Sequence, residues 1–221
     1  MLVLASASPR RQELLRNAGI PFTVQPAGID ETPLAGESPR ACAERLAREK
    51  ARAVSQDRPR NYVLGADTIV VVDDTMLGKP RDADDAARML RLLSGRTHAV
   101  ITGVCIIGPV AGSRLRAGDK AKTQTARLPG RLDETLTTGA RQLETAFERT
   151  ASETTLVTMC ELSDDEIRDY IATGEPMDKA GAYAIQGIAS RWIPRIEGDY
   201  SNVVGLPVAL VYAMSRERGV L

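Results

Sequence analysis

The sequence predicts an α/β fold built on a mixed or partly parallel β-sheet with flanking helices. Two observations carry this prediction: short apolar runs typical of buried strands alternate with segments of helical periodicity, and capping or stop residues bound several of the helices. The length of 221 residues lets one domain, or two closely packed lobes, bury a substantial core. Hydrophobic residues at 43% and charged residues at 26% are the proportions of a soluble globular protein.

The first strand and the first helix are defined by their boundary residues. Residues 2–5 form a short apolar run, and the helix predicted over 9–18 has apolar residues on one face. Ser8 can accept a hydrogen bond as the N-cap of this helix, Pro9 fits its first position because it has no N–H to leave unpaired, and Gly19 ends it.

The same alternation continues to residue 107. A polar, proline-bearing loop at 30–33 follows the second strand. The predicted strands of this part are 22–24, 62–72 and 97–107, and the predicted helices are 38–54 and 83–93.

The stretch from 108 to 153 differs from the rest of the chain because it has little hydrophobic periodicity. We interpret it as an insertion between two strands that would otherwise form a hairpin, with a possible amphipathic helix between 132 and 149. Regular structure then resumes, with predicted strands at 154–160, 184–188 and 192–196 and predicted helices at 164–172 and 203–217.

Net charge and cysteine content exclude several classes of function. With 29 basic and 29 acidic residues, the chain has no global field that would hold nucleic acid or an anionic membrane. Three isolated cysteines without CxxC spacing argue against a disulfide framework and a thiolate metal site. The N-terminal apolar stretch lacks the order of a secretory signal, and no run approaches the roughly 18 apolar residues that cross a bilayer. We therefore expect a cytoplasmic protein.

Two arginines in the first turn of the helix at 9–18 are the most informative feature of the sequence. Arg10 and Arg11 stand where a structural helix more often places acidic residues. Free N–H groups and the positive dipole end of a helix favour phosphate, and two guanidinium groups add bidentate donors. The segment predicts an anion site, and the alternative, a solvated surface helix that begins with two arginines, has equal weight on this segment alone.

A second signal is Asp67, which with Thr68 interrupts the apolar strand at 62–72. Burial of an unpaired carboxylate is costly, so this group must be paired, bind a metal or face a cleft. It is a candidate general base or metal ligand. The alternative, an aspartate in a turn or at a helix N-cap, is disfavoured by the apolar residues on both sides.

Other polar residues are weaker candidates when taken alone. Lys79 lies between glycine and proline on a loop that could hold its ammonium group in place, whereas Lys50 lies on a helix and would ordinarily be solvated. Glu31 could bind Mg²⁺, although a solvent-facing acid is the preferred interpretation. Gln186 has donor and acceptor groups that could read a nucleobase edge. His98, the only histidine, has no second ligand at metal-binding spacing and receives no role.

Eight segments, taken together, resemble the Maf family of nucleoside triphosphate pyrophosphatases. They occur in the order of the family and cover nearly the whole chain outside 108–153, which makes the set far more specific than any single motif. The segments are ASASPRR at 5–11, DETP at 30–33, EKA at 49–51, GADT at 65–68, LGKP at 77–80, SGRTH at 94–98, DKAGAYAIQG at 178–187 and GDYSNVVGLP at 198–207.

The resemblance implies a two-lobed, Maf/ITPase-like α/β fold with a mixed twisted sheet, flanking helices and a central cleft. The residues 1–221 would form one such domain, usually dimeric, with 108–153 as an insertion within the outer lobe. The implied reaction is hydrolysis of a nucleoside triphosphate to the monophosphate and pyrophosphate by water attack at the α-phosphorus. The implied cofactor is a divalent metal cation, Mg²⁺ or Mn²⁺.

The resemblance also implies roles for individual residues. Asp67 would accept the proton of the attacking water, and Glu31 and Asp67 would hold the metal. The residues that would hold the triphosphate are Ser8, Arg10, Arg11, Lys50 and Lys79. Substrate preference would be marked by Arg10, Thr68 and Gln186.

The motifs favour one branch of the family. Ser-Pro-Arg-Arg and Ala-Asp-Thr look like the branch that acts on dTTP and UTP, whereas the branch that acts on 7-methyl-GTP has Ser-Asp-Gln at the aspartate and tryptophan at the position of Arg10. The predicted partners are a nucleoside triphosphate and a second copy of the chain, rather than nucleic acid or membrane. The implied purpose is house-cleaning, the removal of aberrant nucleotides.

Three alternatives stay open at this point. A nucleotide-sensing regulator of cell division would bind the ligand without hydrolysing it. An enzyme of the same kind could act on modified or other nucleotides. The segment at 108–153 could be a protein-docking arm rather than part of the catalytic unit.

Overall fold

Seven strands form one mixed β-sheet in the part of the chain that this computed structural model describes, residues 1–109, 147–216 and 220. The strands are β1 (Leu2–Leu4), β2 (Phe22–Val24), β3 (Tyr62–Val72), β4 (Thr75–Leu77), β5 (Thr97–Ile107), β6 (Glu148–Thr158) and β7 (Arg195–Glu197). Their order is β2-β1-β3-β5-β6-β7, with β4 paired to β3. β1 is parallel to β2 and to β3, and the remaining pairs are antiparallel. The predicted mixed sheet is confirmed.

Helices pack on both faces of this sheet. The α-helices of the described residues are α1 (Pro9–Asn17), α2 (Pro39–Asp57), α3 (Ala83–Leu93), α4 (Asp164–Ala172), α5 (Tyr200–Val204) and α6 (Val208–Arg216). Short 3₁₀ helices lie at Glu175–Asp178, Ala180–Ala182 and Ile188–Trp192. Because side chains alternate along a strand, Leu64 packs with residues of α1 and α6, whereas Val63 packs with residues of α2 on the opposite face.

The same alternation separates the two polar residues of β3. Asp67 belongs to the α2 face with Val63 and Gly65, and Thr68 belongs to the opposite face with Leu64. The structure places Asp67 in the middle of an 11-residue strand, so the alternative of a turn or N-cap aspartate is wrong.

Two glycines let α2 lie unusually close to the sheet. A Cβ atom on Gly65 would stand 2.1 Å from the carbonyl oxygen of Ala47, and one on Gly103 would stand 2.3 Å from that of Ala43. Gly65 lies in β3 and Gly103 in the adjacent β5, where Gly103 is the register partner of Asp67. The absence of both side chains brings the polar residues of α2 within reach of Asp67.

We expect Gly65→Ala to lower the free energy of unfolding by about 2 kcal/mol, because the added methyl group collides with backbone that must move away. Chemical denaturation measures the change. Gly28→Ala is the matched control, since a Cβ at Gly28 meets nothing within 4 Å, and it should change stability by less than about 0.5 kcal/mol. Equal stability of the two variants would contradict the close packing of α2.

The segment predicted as an insertion is bounded by two strands that pair with each other. β5 and β6 are antiparallel neighbours that begin their register at Ile107 and Glu148, as the hairpin interpretation requires. β6 starts six residues earlier than the predicted strand at 154–160, so residues 148–153 belong to the sheet. The predicted helix at 132–149 lies outside the described residues except at its end, where Glu148 and Arg149 are in β6 instead. The insertion and the two-lobed domain stay predictions.

Two predictions for the C-terminal part are wrong for identifiable reasons. The strand predicted at 184–188 is a turn, because its backbone N–H groups bond to side chains: Ala184 N donates to Tyr170 Oη and Ile188 N donates to Glu175. The helix predicted at 203–217 begins earlier, at Tyr200, and is split into α5 and α6. Gly205 at φ 128°, with Pro207 two residues later, separates the two helices.

Two short strands also differ from the prediction. The strand predicted at 192–196 is shifted to β7, because Trp192 ends a 3₁₀ helix. β4 was not predicted; it forms a hairpin with β3 through Asp73 and Asp74, which both have positive φ.

In the described part of the chain, every helix is too short or too polar to cross a membrane.

Candidate active site

One cleft brings together all nine residues that the sequence singled out for the site. Its volume is about 660 Å³. It lies where the N-terminal turn of α1, the middle of β3, one face of α2 and two loops meet. These nine residues, which line the cleft together with others, are Ser8, Arg10, Arg11, Glu31, Lys50, Asp67, Thr68, Lys79 and Gln186. The N-terminal cations and the mid-chain acid therefore line the same cleft, and the role of each residue stays a prediction.

Lys50 forms the charged centre of the cleft. Its Nζ atom donates to Asp67 Oδ1 at 2.6 Å and lies 2.7 Å from Glu31 Oε1. The side chains of Lys50 and Asp67 are 8% and 10% exposed, whereas that of Glu31 is 49% exposed. Lys50 is thus not a solvated helical lysine. One buried ammonium group sits between two carboxylates, which compensates the desolvation of the ion pair.

The electrostatics of Glu31 follow from this arrangement. Partial burial acts to raise the pKa of the Glu31 carboxyl, but the hydrogen bond and charge of Lys50 outweigh it, and the charges of Lys79 and Arg11 add to the same effect. The net result is a pKa below the ordinary value of a glutamate, so Glu31 is ionised at neutral pH.

The carboxylates of Glu31 and Asp67, which both contact the Lys50 ammonium group, are also suitable ligands for a hard divalent cation. Mg²⁺ is usually held in proteins by one or two carboxylates together with waters and substrate phosphates. Of the two carboxylate oxygens of Asp67, Oδ1 accepts a hydrogen bond from Lys50. No described residue donates to Oδ2, which leaves this oxygen available. Groups of three or more His, Cys, Asp or Glu residues that could hold a metal by themselves do not occur in the described part of the chain.

Arg11 ties three segments together at one wall of the cleft. It donates from Nε to the Gly205 carbonyl oxygen at 2.8 Å, from Nη1 to Ser6 Oγ at 3.1 Å and from Nη2 to Thr68 Oγ1 at 3.0 Å. Burial lowers the pKa of the guanidinium group, against the opposing charge of Asp67. Arg11 is therefore fixed in place before any anion binds. Ser6, which the sequence indicated only through its presence in the motif at 5–11, is one of its anchors.

Arg10 occupies the other side of the α1 terminus. Its Nη1 atom lies 3.3 Å from Asp178 Oδ2, and Asp178 also accepts from the neighbouring Lys179. Lys179 in turn donates to the carbonyl oxygen of Glu175 at 2.8 Å. Asp178 and Lys179 both line the cleft, and their presence in the motif at 178–187 was the only sequence signal for them.

The remaining candidates lie at the α1 cap and the rim. Ser8 is the N-cap of α1, as predicted, and its Oγ atom accepts from Arg11 N at 3.5 Å. Lys79 and Gln186 are exposed on their loops. They can therefore reach a ligand in the cleft without displacing a partner from the core.

His98 lies behind the cleft. It is 2% exposed, and its Nε2 atom is 2.8 Å from the hydroxyl oxygen of Tyr183, a residue that lines the cleft. Its Nδ1 atom has no partner among the described residues. Burial lowers the pKa of His98 from 6.5 to about 4, so the imidazole is neutral at physiological pH.

This shift predicts a pH dependence of stability. The unfolded chain binds a proton at His98 below pH 6.5 and the folded protein does not, so the stability is complete above that pH and is lost as the pH falls toward 4. Between pH 6.5 and about pH 5, where carboxylates titrate little, we expect a loss of about 1.5 kcal/mol. Denaturant unfolding across this window measures it, and His98→Gln should show a flat profile. A slope that persists in His98→Gln would assign the effect to another group.

Comparison with known proteins gives a consistent result. The family model described as "Maf-like protein" matches residues 1–126 and 113–218. A dTTP/UTP pyrophosphatase of Koribacter versatilis (strain Ellin345) is 52% identical over 220 residues, which cover 100% of this chain and 95% of that protein. A dTTP/UTP pyrophosphatase of Syntrophomonas wolfei subsp. wolfei is 45% identical over 216 residues, covering 98% and 96%.

A solved structure is also similar, at a much lower level. The nucleoside-triphosphatase / dITP/XTP pyrophosphatase of Mycobacterium abscessus is 14% identical, with a TM-score of 0.39, and the match covers 78% of this chain and 94% of that chain. That likeness is too low to support an inference, and the assignment depends on the family model and the curated relatives. On both of these grounds, the chain belongs to the Maf family.

Proposed function

We propose that this chain is a nucleoside triphosphate pyrophosphatase that hydrolyses dTTP and UTP to the monophosphate and pyrophosphate. The observation that carries the proposal is the cleft in which Lys50 joins Asp67 and Glu31 beside Arg10 and Arg11. The names of relatives that are 45% and 52% identical over nearly the whole chain support the same activity.

The cationic groups would bind and orient the triphosphate. Arg10, Arg11 and Lys79 approach the cleft from different segments, and the N-terminus of α1, which Ser8 caps, adds free N–H groups. The fixed guanidinium of Arg11 would stabilise negative charge that develops on the phosphates, because its position needs no rearrangement.

Asp67 would accept the proton of the water that attacks the α-phosphorus. The bond between the α-phosphorus and the bridging oxygen breaks, and pyrophosphate leaves with the electron pair of that bond. Lys50 holds Asp67 Oδ1 and leaves Oδ2 available for the proton. A carboxylate held in this way is oriented as a general base needs to be.

A divalent cation fits the same carboxylates. Glu31 and Asp67 would hold Mg²⁺ or Mn²⁺ with oxygens of the substrate phosphates. When bound, such an ion supplies charge neutralisation and polarises the phosphoryl group.

Substrate preference would depend on the residues that border the base. Gln186 is exposed at the cleft and can offer both a donor and an acceptor to a pyrimidine edge. Thr68 would act through Arg11, since its hydroxyl accepts from that guanidinium and pairs with Thr102 at 3.0 Å. Modified pyrimidine nucleotides would fit the same recognition.

A pyrophosphate-release assay with Mg²⁺ or Mn²⁺ tests the proposal on UTP, dTTP, CTP, modified pyrimidine nucleotides and purine nucleotides. We expect release of pyrophosphate with UMP or dTMP as the other product, and ¹⁸O from labelled water in the monophosphate. Binding of UTP without product would favour a nucleotide-sensing regulator instead. Release of inorganic phosphate with UDP would overturn attack at the α-phosphorus.

The predicted homodimer and cytoplasmic location extend this proposal. They rest on the family resemblance and on the composition of the chain. Light scattering of the purified protein decides the first, and fractionation of cells that express a tagged chain decides the second.

A further inference from the structure

Arg45 is the most highly paired side chain near the cleft that the proposed reaction does not use. It lies on α2, five residues before Lys50. Its Nε and Nη2 atoms donate to the two carboxylate oxygens of Glu37, each at 2.8 Å, in a bidentate pair. The two side chains are 17% and 10% exposed. Arg45 therefore joins α2 to the loop that leads into it.

The same guanidinium also reaches the part of the loop that carries Glu31. Its Nη2 atom donates to the carbonyl oxygen of Thr32 at 3.2 Å, one residue from Glu31. Its Nη1 atom donates to Glu49 at 3.2 Å. With Glu37 and Glu49 both paired to it, Arg45 has no free charge to offer a phosphate, and it is not among the residues that line the cleft.

Apart from the ion pair between Glu31 and Lys50, the loop has little else to fix it. Residues 30–36 are exposed, so burial contributes little to their order. Local bonds shape the chain on either side of Glu31: Asp30 Oδ1 accepts from the N–H and hydroxyl groups of Thr32, and Glu37 Oε2 accepts from Leu34 N at 3.2 Å. These bonds are internal to the loop and do not set its orientation on α2.

We propose that Arg45 is a positioning residue that orients the 30–37 loop so that the Glu31 carboxylate meets Lys50 and Asp67 in the cleft. The consequence for the reaction rests on the proposed function, in which Glu31 helps to hold the divalent cation. The strength of the Glu37 pair supports a permanent clamp: the hydrogen bonds from Arg45 lower the pKa of Glu37 to about 2, so the pair persists throughout the physiological pH range.

Arg45→Lys tests the proposal, because lysine keeps the charge and cannot make the bidentate pair and the Thr32 contact together. The matched control is Arg52→Lys. Arg52 lies on the same helix and makes an equally close bidentate pair, at 2.8 Å and 2.9 Å, with Glu148 of β6, away from the loop. Thermal unfolding of both variants establishes that they are folded, and Glu37→Gln breaks the same clamp from the other side if Arg45→Lys does not fold.

The first readout is hydrogen exchange of the protein without nucleotide. We expect the amides of Thr32 and Leu34 to exchange at least about tenfold faster in Arg45→Lys than in the wild type, and to be unchanged in Arg52→Lys. Unchanged exchange of the loop in both Arg45→Lys and Glu37→Gln would overturn the proposal. This measurement does not depend on any enzymatic activity, so it stands even if the proposed function fails.

The second readout is the Mg²⁺ dependence of UTP hydrolysis. Arg45→Lys should raise the Mg²⁺ concentration for half-maximal rate by about tenfold, as loss of outer partners of a metal ligand does, and change kcat at saturating Mg²⁺ by less than twofold. In a Glu31→Gln background the same substitution should add nothing, because the group that it positions is gone. An equal effect in both backgrounds would show that Arg45 acts independently of Glu31.

Discussion

Replacing Asp67 by asparagine is expected to lower kcat by about 10³-fold or more, within the range that a general base contributes. The amide oxygen can still accept from Lys50, which stands 2.6 Å from Asp67 Oδ1, so the geometry of the cleft is retained. Nucleotide affinity should change little, because the cationic groups of the cleft, which would hold the triphosphate in the proposed function, are untouched. Pyrophosphate release under saturating UTP measures the loss, and calorimetric titration with UTP measures binding.

Asp73→Asn is a suitable control for this substitution. Asp73 is an exposed acid at the end of the same strand, and its positive φ of 43° is one that asparagine accepts. Its kcat should match that of the wild type. Near-normal pyrophosphate release by Asp67→Asn would remove Asp67 from the role of base. Loss of UTP binding would show that the negative charge of Asp67 contributes to binding of the substrate before the reaction.

Replacing Lys50 by methionine is expected to destabilise the protein by about 3 to 5 kcal/mol as well as to abolish turnover. The substitution leaves the Asp67 carboxylate buried without its partner and with Glu31 as a second negative group nearby. Denaturant unfolding at pH 7.5 measures the stability. Lys79→Met, at an exposed position on the cleft rim, should stay within about 0.5 kcal/mol of the wild type.

The double variant Lys50→Met with Asp67→Asn tests whether the lower stability of Lys50→Met comes from the unpaired buried charge of Asp67. Removing both charges leaves a neutral pair of similar shape, so stability should recover by at least about 2 kcal/mol relative to Lys50→Met, without recovery of turnover. Additive losses in the double variant would mean that Lys50 stabilises the fold through its aliphatic stem rather than through the ion pair.

The sequence predicted the elements whose signals are local. The strands at 62–72 and 97–107 and the helices at 83–93 and 164–172 were placed at their observed bounds, because continuous apolar runs or caps such as Ser163 define them. The turn at 184–188 could not be recognised in this way. Its N–H groups are satisfied by Tyr170 and Glu175, and a contact between distant residues leaves no local pattern.

The residues of the candidate site likewise divide into those with a local sequence signal and those whose role depends on distant contacts. Asp67 was detectable because a carboxylate in an apolar strand needs an explanation, and Arg10 and Arg11 because they occupy a helix start. The sequence assigned no role to Ser6 or Arg45, since one is an ordinary serine and the other an ordinary helical arginine until the fold supplies their partners. Their roles follow from tertiary hydrogen bonds rather than from residue type.

The close packing of α2 against Gly65 and Gly103 affects ligand recognition. Backbone contacts from Ala43 and Ala47 onto these glycines resist sliding or rolling of the helix across the sheet, so the ammonium of Lys50 is delivered to Asp67 by rigid backbone rather than by a flexible loop. A centre of this kind is preorganised, and little free energy is spent on rearranging it when substrate arrives. We therefore expect substitutions on the solvent-exposed face of α2 to be tolerated far more readily than the addition of a single methyl group at Gly65 or Gly103.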